Sequence, residues 1–183
     1  MTHFVDGAVT QGRDSRLRNP KEAEAVADCL ARLVEDPAYQ DKTMGVIALQ
    51  GPVGQVKLLE QLINERIPAP VREHHQIRVG NPASFQGDER HVILLSMVAT
   101  NPPRIAGGAR SERQAYNVAA SRAQDQMRLF YSIPPDRLKN EDLRFNLLTY
   151  MENPPAILAT ANQIGDVSAE IPQDPFESLF EPQ

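Results

Sequence analysis

The sequence predicts an α/β domain built around a mostly parallel β-sheet, and three observations carry that expectation. Continuous apolar runs at residues 44–49 and 91–96 have the form of strands buried on both faces, as parallel strands are. Between the strand-like runs lie segments with apolar residues at helical spacing, so helices and strands alternate along the chain. The length, 183 residues of which 41% are hydrophobic, suits one domain and provides enough apolar material for a core.

Residues 1–18 mix Gly, Asp, Arg and Ser and show no periodicity beyond an apolar patch at Phe4-Val5, so no element is expected there. Asn19-Pro20 opens a helix, with Asn as N-cap, Pro at the first helical position and Glu22 in the first turn. Ala23, Val26, Ala27, Leu30, Leu33 and Val34 carry it to about Glu35, with Cys29 in or beside its packed face. Gly51-Pro52-Val53-Gly54 breaks the strand at 44–49. Val56, Leu58, Leu59, Leu62 and Ile63 then form a second amphipathic helix, ended by Pro68-Ala69-Pro70. A brief strand at 77–79 precedes the strongest strand signal, at 91–96. Residues 101–111 read as a mobile loop, 111–123 as a helix, 127–131 as a strand and 140–150 as a helix. Residues 151–183 contain Pro154-Pro155, Pro172, Pro175 and Pro182 and no basic residue. They read as an acidic linker leaving a domain that spans 1–150, in a piece of a longer protein.

Composition excludes several classes. No run of 18 apolar residues and no N-terminal apolar signal core exist, so neither a membrane span nor secretion is expected, and a cytoplasmic location is. A single cysteine, Cys29, excludes an intramolecular disulfide framework and a Cys-based zinc site. The histidines are His3, His74, His75 and His91; the 74–75 pair has no third ligand nearby and reads as solvated loop, so no metal site is expected. The formal charge of −5 argues against a nucleic-acid partner only as a total. Residues 151–183 hold six acids and no base, leaving 18 acids against 19 bases in residues 1–150. Fifteen of those bases are Arg and four are Lys, a bias suited to bidentate recognition of phosphate or carboxylate.

Catalytic signatures are mostly missing. No G-x-x-x-x-G-K-[ST] occurs, and Gly51-Pro52-Val53-Gly54 lacks the Lys-Ser/Thr pair of a complete phosphate cradle. Asp88-Glu89 resembles an acidic pair that positions Mg²⁺, but it precedes its strand instead of following it. G-x-G-x-x-G is absent, which counts against a dinucleotide-binding oxidoreductase. With no nucleophile–base pair and no metal cluster, the chain is not expected to run a reaction alone.

Two segments carry more. Phe85-Gln86-Gly87-Asp88-Glu89-Arg90 is a polar glycine turn between strands, able to present backbone N–H groups and a carboxylate to a ligand such as a ribose hydroxyl. In Tyr116-Asn117-Val118-Ala119-Ala120-Ser121-Arg122-Ala123, Asn117 and Ser121 lie one helical turn apart. The alanines there permit close helix–sheet packing, and Arg122 follows at an edge from which it could reach a neighbouring domain's nucleotide.

Taken in order, these segments resemble the C-terminal RecA-like domain (domain 2A) of superfamily-1 DNA2/NAM7-like helicases, of the AAA_12 type. Residues 85–96 are similar to motif V and residues 117–123 to motif VI. Gly45-Val46-Ile47-Ala48-Leu49, with Gln55 beyond it, lies where motif IV does, and Asn19-Pro20-Lys21-Glu22-Ala23 resembles the Asn-x-x-Glu-Ala that opens the domain. The resemblance spans about residues 7–150 and implies a RecA-like P-loop NTPase fold. It further implies that Arg122 is an arginine finger on the ATP γ-phosphate, that Gln86, Gly87 and Glu89 line the nucleotide side of an interdomain cleft, and that Asn81 and Ser96 touch the nucleic-acid backbone. ATP and Mg²⁺ would both require an N-terminal RecA-like domain not contained in this chain. The implied partners are that domain and a DNA or RNA single strand.

The sequence departs from the family pattern in three places. Asn81 replaces the usual Thr, Leu49-Gln50-Gly51 replaces Thr-Pro-Tyr, and Gln114-Ala115 stands where arginines are usual before motif VI. The tail from Asp174 resembles the start of a Vsr-like nuclease domain. The expected function is the C-terminal motor domain of an ATP-dependent helicase, inactive alone. The alternative is a non-catalytic RecA-like module that binds nucleic acid or protein.

Overall fold

Five strands, all parallel, form the central sheet of the computed structural model, which describes residues 1–100 and 110–153. In chain order they are β1 (Thr2–Phe4), β2 (Met44–Ala48), β3 (Arg78–Gly80), β4 (Arg90–Ser96) and β5 (Ala123–Tyr131), arranged β1-β5-β4-β2-β3. The helices are α1 (Pro20–Glu35), α2 (Gly54–Arg66), α3 (Ala69–His74), α4 (Arg110–Ala120) and α5 (Leu143–Glu152).

The pleat of the central strands assigns the helices to two faces. Met44, Val46 and Ala48 of β2, with Val92 and Leu94 of β4, pack against α1 and α2 through Ala23, Val26, Leu30, Leu59 and Ile63. Ile47, Ile93 and Leu95 face the other way, against Phe85, Tyr116, Ala119 and Ala120 and then Leu143, Leu147 and Leu148 of α5. Both sides of the sheet are therefore covered, which is why β2 and β4 read as unbroken apolar runs. Gly45 has no side chain because a Cβ there would meet the Phe85 ring and Ile93. Cys29 is buried within the α1 face, as its helical position predicted.

α1 begins and ends where its signals placed it. The Asn19 side chain accepts from the Glu22 N–H, Pro20 occupies the first helical position, and the helix stops at Glu35. Two elements, β1 and α3, were not expected, and three boundaries are shifted. β1 forms in a segment expected to be irregular, pairing with β5 from Thr2↔Leu129 to Phe4↔Tyr131; an edge strand of three residues is too short to show a period. The Pro68-Ala69-Pro70 segment stops α2 but also starts α3, since proline is tolerated in a first helical turn. α4 ends at Ala120, and β5 starts at Ala123 instead of residue 127. Its polar first half has no strand pattern of its own and is recruited by pairing with Arg90 and Val92 of β4. α5 starts at Leu143, where the Asp142 side chain accepts from the Arg144 N–H.

No helix among the described residues is long and apolar enough to cross a membrane. The loop expected at 101–111 falls almost wholly outside the described residues, as does the acidic segment beyond residue 153.

Candidate functional site

Parallel pairing of β4 with β5 brings the two chemistry-bearing segments together at the N-terminal end of the sheet. Arg90 pairs with Ala123, and the Arg90 N–H donates to the Arg122 carbonyl at 3.1 Å. Beside this junction the Gln124 amide donates to Glu89 Oε2 at 3.4 Å. The turn before β4 and the turn before β5, 35 residues apart at that hydrogen bond, are thus immediate neighbours.

The turn before β4 is braced from beneath. Asp88 accepts from both Arg78 Nη1 and Arg90 Nη1, while Arg78 Nη2 donates to the Ser84 carbonyl at 2.7 Å. The two guanidinium groups hold the Asp88 carboxyl below its ordinary range, outweighing the opposing effect of desolvation, the largest single contribution. Above this brace Gln86, Gly87 and Glu89 are exposed. Gly87 has a φ of +78°, and a Cβ built on it would meet nothing within 4 Å, so its backbone is open to a ligand.

Arg122 sits in the turn after α4. Its Nε donates to the Val118 carbonyl at 3.1 Å and its Nη2 to Ser121 Oγ at 2.8 Å, so the guanidinium folds back over the helix's last turn. It is partly exposed and has no carboxylate partner among the described residues. One turn earlier, Asn117 Oδ1 is buried without a hydrogen-bond donor. Ala119 and Ala120 are buried at the base of α4, where their small size lets the helix approach the sheet.

An unpaired guanidinium, an open glycine backbone and an exposed carboxylate fit a ligand carrying phosphate and hydroxyl groups, as a nucleotide does. Asp88 is engaged by two arginines, and no group of three His, Cys, Asp or Glu side chains able to hold a metal occurs among the described residues.

Of the other two site residues, Ser96 ends β4, roughly 20 Å from the Arg90 junction along that seven-residue strand, and Asn81 follows Gly80, which pairs with Ile47 toward the same end of the sheet. Asn81 follows β3 and forms a capping box with Ser84. Its Oδ1 accepts from the Ser84 N–H at 3.1 Å, and Ser84 Oγ accepts from the Asn81 N–H at 3.1 Å. Its amide nitrogen makes no hydrogen bond to the described residues.

Ser96 is fully buried, and its surroundings differ from the strand contact that the resemblance implied. Its hydroxyl donates to Glu22 Oε1 at 2.7 Å and accepts from the Gln55 amide at 3.0 Å. Glu22 also accepts from the Val98 N–H at 2.7 Å and from Ser132 Oγ at 2.6 Å, and the Asn19 N–H donates to Gln55 at 2.7 Å. This network ties the start of α1 to the segments leaving β4 and β5. Sequence reading assigned Glu22 and Gln55 no such role; a charged and an amide side chain on the buried faces of two helices were the available signal. His75 likewise departs from a solvated loop: it is 3% exposed, with Nδ1 2.9 Å from the Lys42 carbonyl.

An all-parallel sheet covered by helices on both faces is consistent with a RecA-like α/β fold of the nucleotide-binding P-loop NTPase kind. The AAA domain model AAA_12 matches residues 2–131. The chain therefore belongs to this family, the domain of superfamily-1 DNA2/NAM7-like helicases. No curated protein matches the chain. The family match ends with β5, and α5 beyond it closes the face occupied by α4.

Proposed function

We propose that this chain is the C-terminal motor domain of an ATP-dependent superfamily-1 DNA or RNA helicase, contributing motifs IV, V and VI to a site shared with an N-terminal RecA-like domain. The juxtaposition of the Glu89 turn with Arg122, an unpaired guanidinium at the same sheet end, is the observation that supports it most. ATP with Mg²⁺, held between the two domains, would supply the transferable phosphoryl group. Gln86 and Gly87 would hold the nucleotide at the open backbone of their turn, and Glu89 would accept from a ribose hydroxyl. Arg122 would balance the charge that builds on the phosphoryl oxygens, a role worth about 10³–10⁵ in rate for comparable arginines. Asp88 orients the turn through its two arginines. At the far end, the free amide of Asn81 would donate to a strand phosphate, and Ser96 would act indirectly, through the segment that Glu22 anchors.

A second reading, a non-catalytic RecA-like module, has one observation in its favour. Arg122 folds onto Val118 and Ser121 as an ordinary helix-capping arginine does. Steady-state phosphate release by the 183-residue chain tests the half-site idea. Negligible turnover alone, with activity appearing only in the protein that includes the N-terminal domain, is expected; robust turnover by this chain would refute it.

A further inference from the structure

Gly51-Pro52-Val53-Gly54 reads in the sequence as an incomplete phosphate cradle, and the structure gives its glycines another purpose. Gln11 and Arg18 pair as an antiparallel bridge, their N–H groups donating to each other's carbonyls at 2.8 and 2.9 Å. The bridge closes the intervening residues into a loop that carries Arg13 and Arg16. This loop is fixed to the start of α2, where the Val53 N–H donates to the Ser15 carbonyl at 2.8 Å. A Cβ on Gly51, whose φ is +62°, would overlap the Leu17 carbonyl, and one on Gly54 would overlap the carbonyls of Arg16 and Leu17. Both glycines permit this close backbone approach and so hold the arginine loop over the helix.

Between loop and helix runs an open groove of about 580 Å³, lined by Arg16, Arg18, Lys57 and Gln61 together with Gly12 and Leu58. Arg16, Arg18 and Lys57 are exposed, and none makes an ion pair or side-chain hydrogen bond with a described residue. Asp14, the acid on the same loop, does not line the groove. Three cations lining one groove without a carboxylate partner among the described residues repel one another, and a polyanion relieves that repulsion. The groove offers no aromatic surface for a base, so it suits a phosphate backbone better than a mononucleotide.

We infer that this groove binds the phosphodiester backbone of a nucleic-acid single strand, Arg16 and Arg18 gripping phosphates through their planar guanidinium groups and Lys57 adding a point charge. The inference rests on the proposed helicase reading and adds a strand-binding site to it. The groove opens at the C-terminal end of β2, the end at which Asn81 follows β3, since Gly80 pairs with Ile47.

Fluorescence anisotropy of labelled oligothymidylate and oligouridylate with the 183-residue chain at low salt tests it. Arg16→Glu combined with Arg18→Glu is expected to weaken binding about tenfold or more, with the log–log salt slope smaller by roughly 0.7 for each phosphate no longer neutralised. Lys57→Ala is expected to weaken it several-fold. Arg32→Glu, which reverses an exposed arginine in the last turn of α1, should bind as the parent does. Thermal melts of each variant separate weakened strand binding from a failure to fold, and Lys57→Ala carries the test if the double variant is unfolded. Parent-like binding by the double variant and by Lys57→Ala, or an equal loss in Arg32→Glu, overturns the groove and leaves the helicase reading standing. Failure of the parent chain to bind either strand overturns the groove and the strand-binding part of that reading together. Displacement of the strand by equimolar inorganic phosphate would assign the groove to free phosphate and overturn the inference.

Discussion

Glu22 shows how much one buried carboxyl can organise. It has no exposure, and burial pushes its pKa up to about 7 despite the hydrogen bonds from Ser132, Ser96 and Val98 that oppose the shift. One of those bonds secures Val98 at a φ of +72°, a conformation that costs a β-branched residue about 1–3 kcal/mol and persists because its N–H is held. Between about pH 4.5 and about pH 7 the unfolded chain releases a proton that the folded chain retains, so this group's contribution falls as pH rises. In thermal melts, the stability of the parent relative to Glu22→Gln should therefore decline from about pH 5 to about pH 8; a difference independent of pH would show that Glu22 does not titrate in this range. Asp88 works in the opposite electrostatic sense, as a carboxylate held between Arg78 and Arg90. Asp88→Asn should cost about 1 kcal/mol, since the pair is partly exposed, and should loosen the Gln86–Glu89 turn. Faster amide exchange at Gly87 with little change in melting temperature is the expected signature, and unchanged exchange would show that the brace does not order the turn.

At the scale of elements, the loop over α2 and the turn braced by Asp88 are both backbone devices. Gly51→Ala and Gly54→Ala should each destabilise by about 2 kcal/mol or more, because the new Cβ strikes a carbonyl that cannot move without releasing the loop. Denaturant titration checks this, and a neutral Gly54→Ala would mean the loop is not tightly held. These devices also mark what the sequence could and could not express. α1 was legible at both ends because its signals are local: Asn19, Pro20 and the spacing through Leu33. β2 and β4 were legible because both of their faces are buried. β5 was only half legible, since residues 123–126 become strand by pairing with β4 and not through any pattern of their own. The site divided in the same way. Gln86, Gly87, Glu89 and Arg122 could be named from local motifs, whereas their proximity depends on which strands are neighbours. The burial of Ser96 followed from α1 and α2 each lending a polar side chain, a long-range fact that no local spacing records.

For the whole molecule, the two ends of the sheet differ in chemistry. The N-terminal end of β4 and β5 presents a carboxylate, an open glycine and an unpaired guanidinium. The C-terminal end presents Asn81 and the arginine loop, with a sealed polar network beneath. On the proposed reading, nucleotide binds at the first end and the strand at the second, and the rigid three-layer core carries closure of one into a changed grip at the other. The formal charge of −5 conceals this arrangement, because six acids and no bases lie in residues 151–183. The central claim is that Arg122 completes an active site shared with another domain. Its most direct test is the strand-stimulated ATPase rate of the protein containing both RecA-like domains, with and without Arg122→Ala. A fall in kcat of about 10³ or more, with strand binding retained, is the predicted result. An ATPase rate within a few-fold of the parent would contradict the claim and leave Arg122 as the cap of α4.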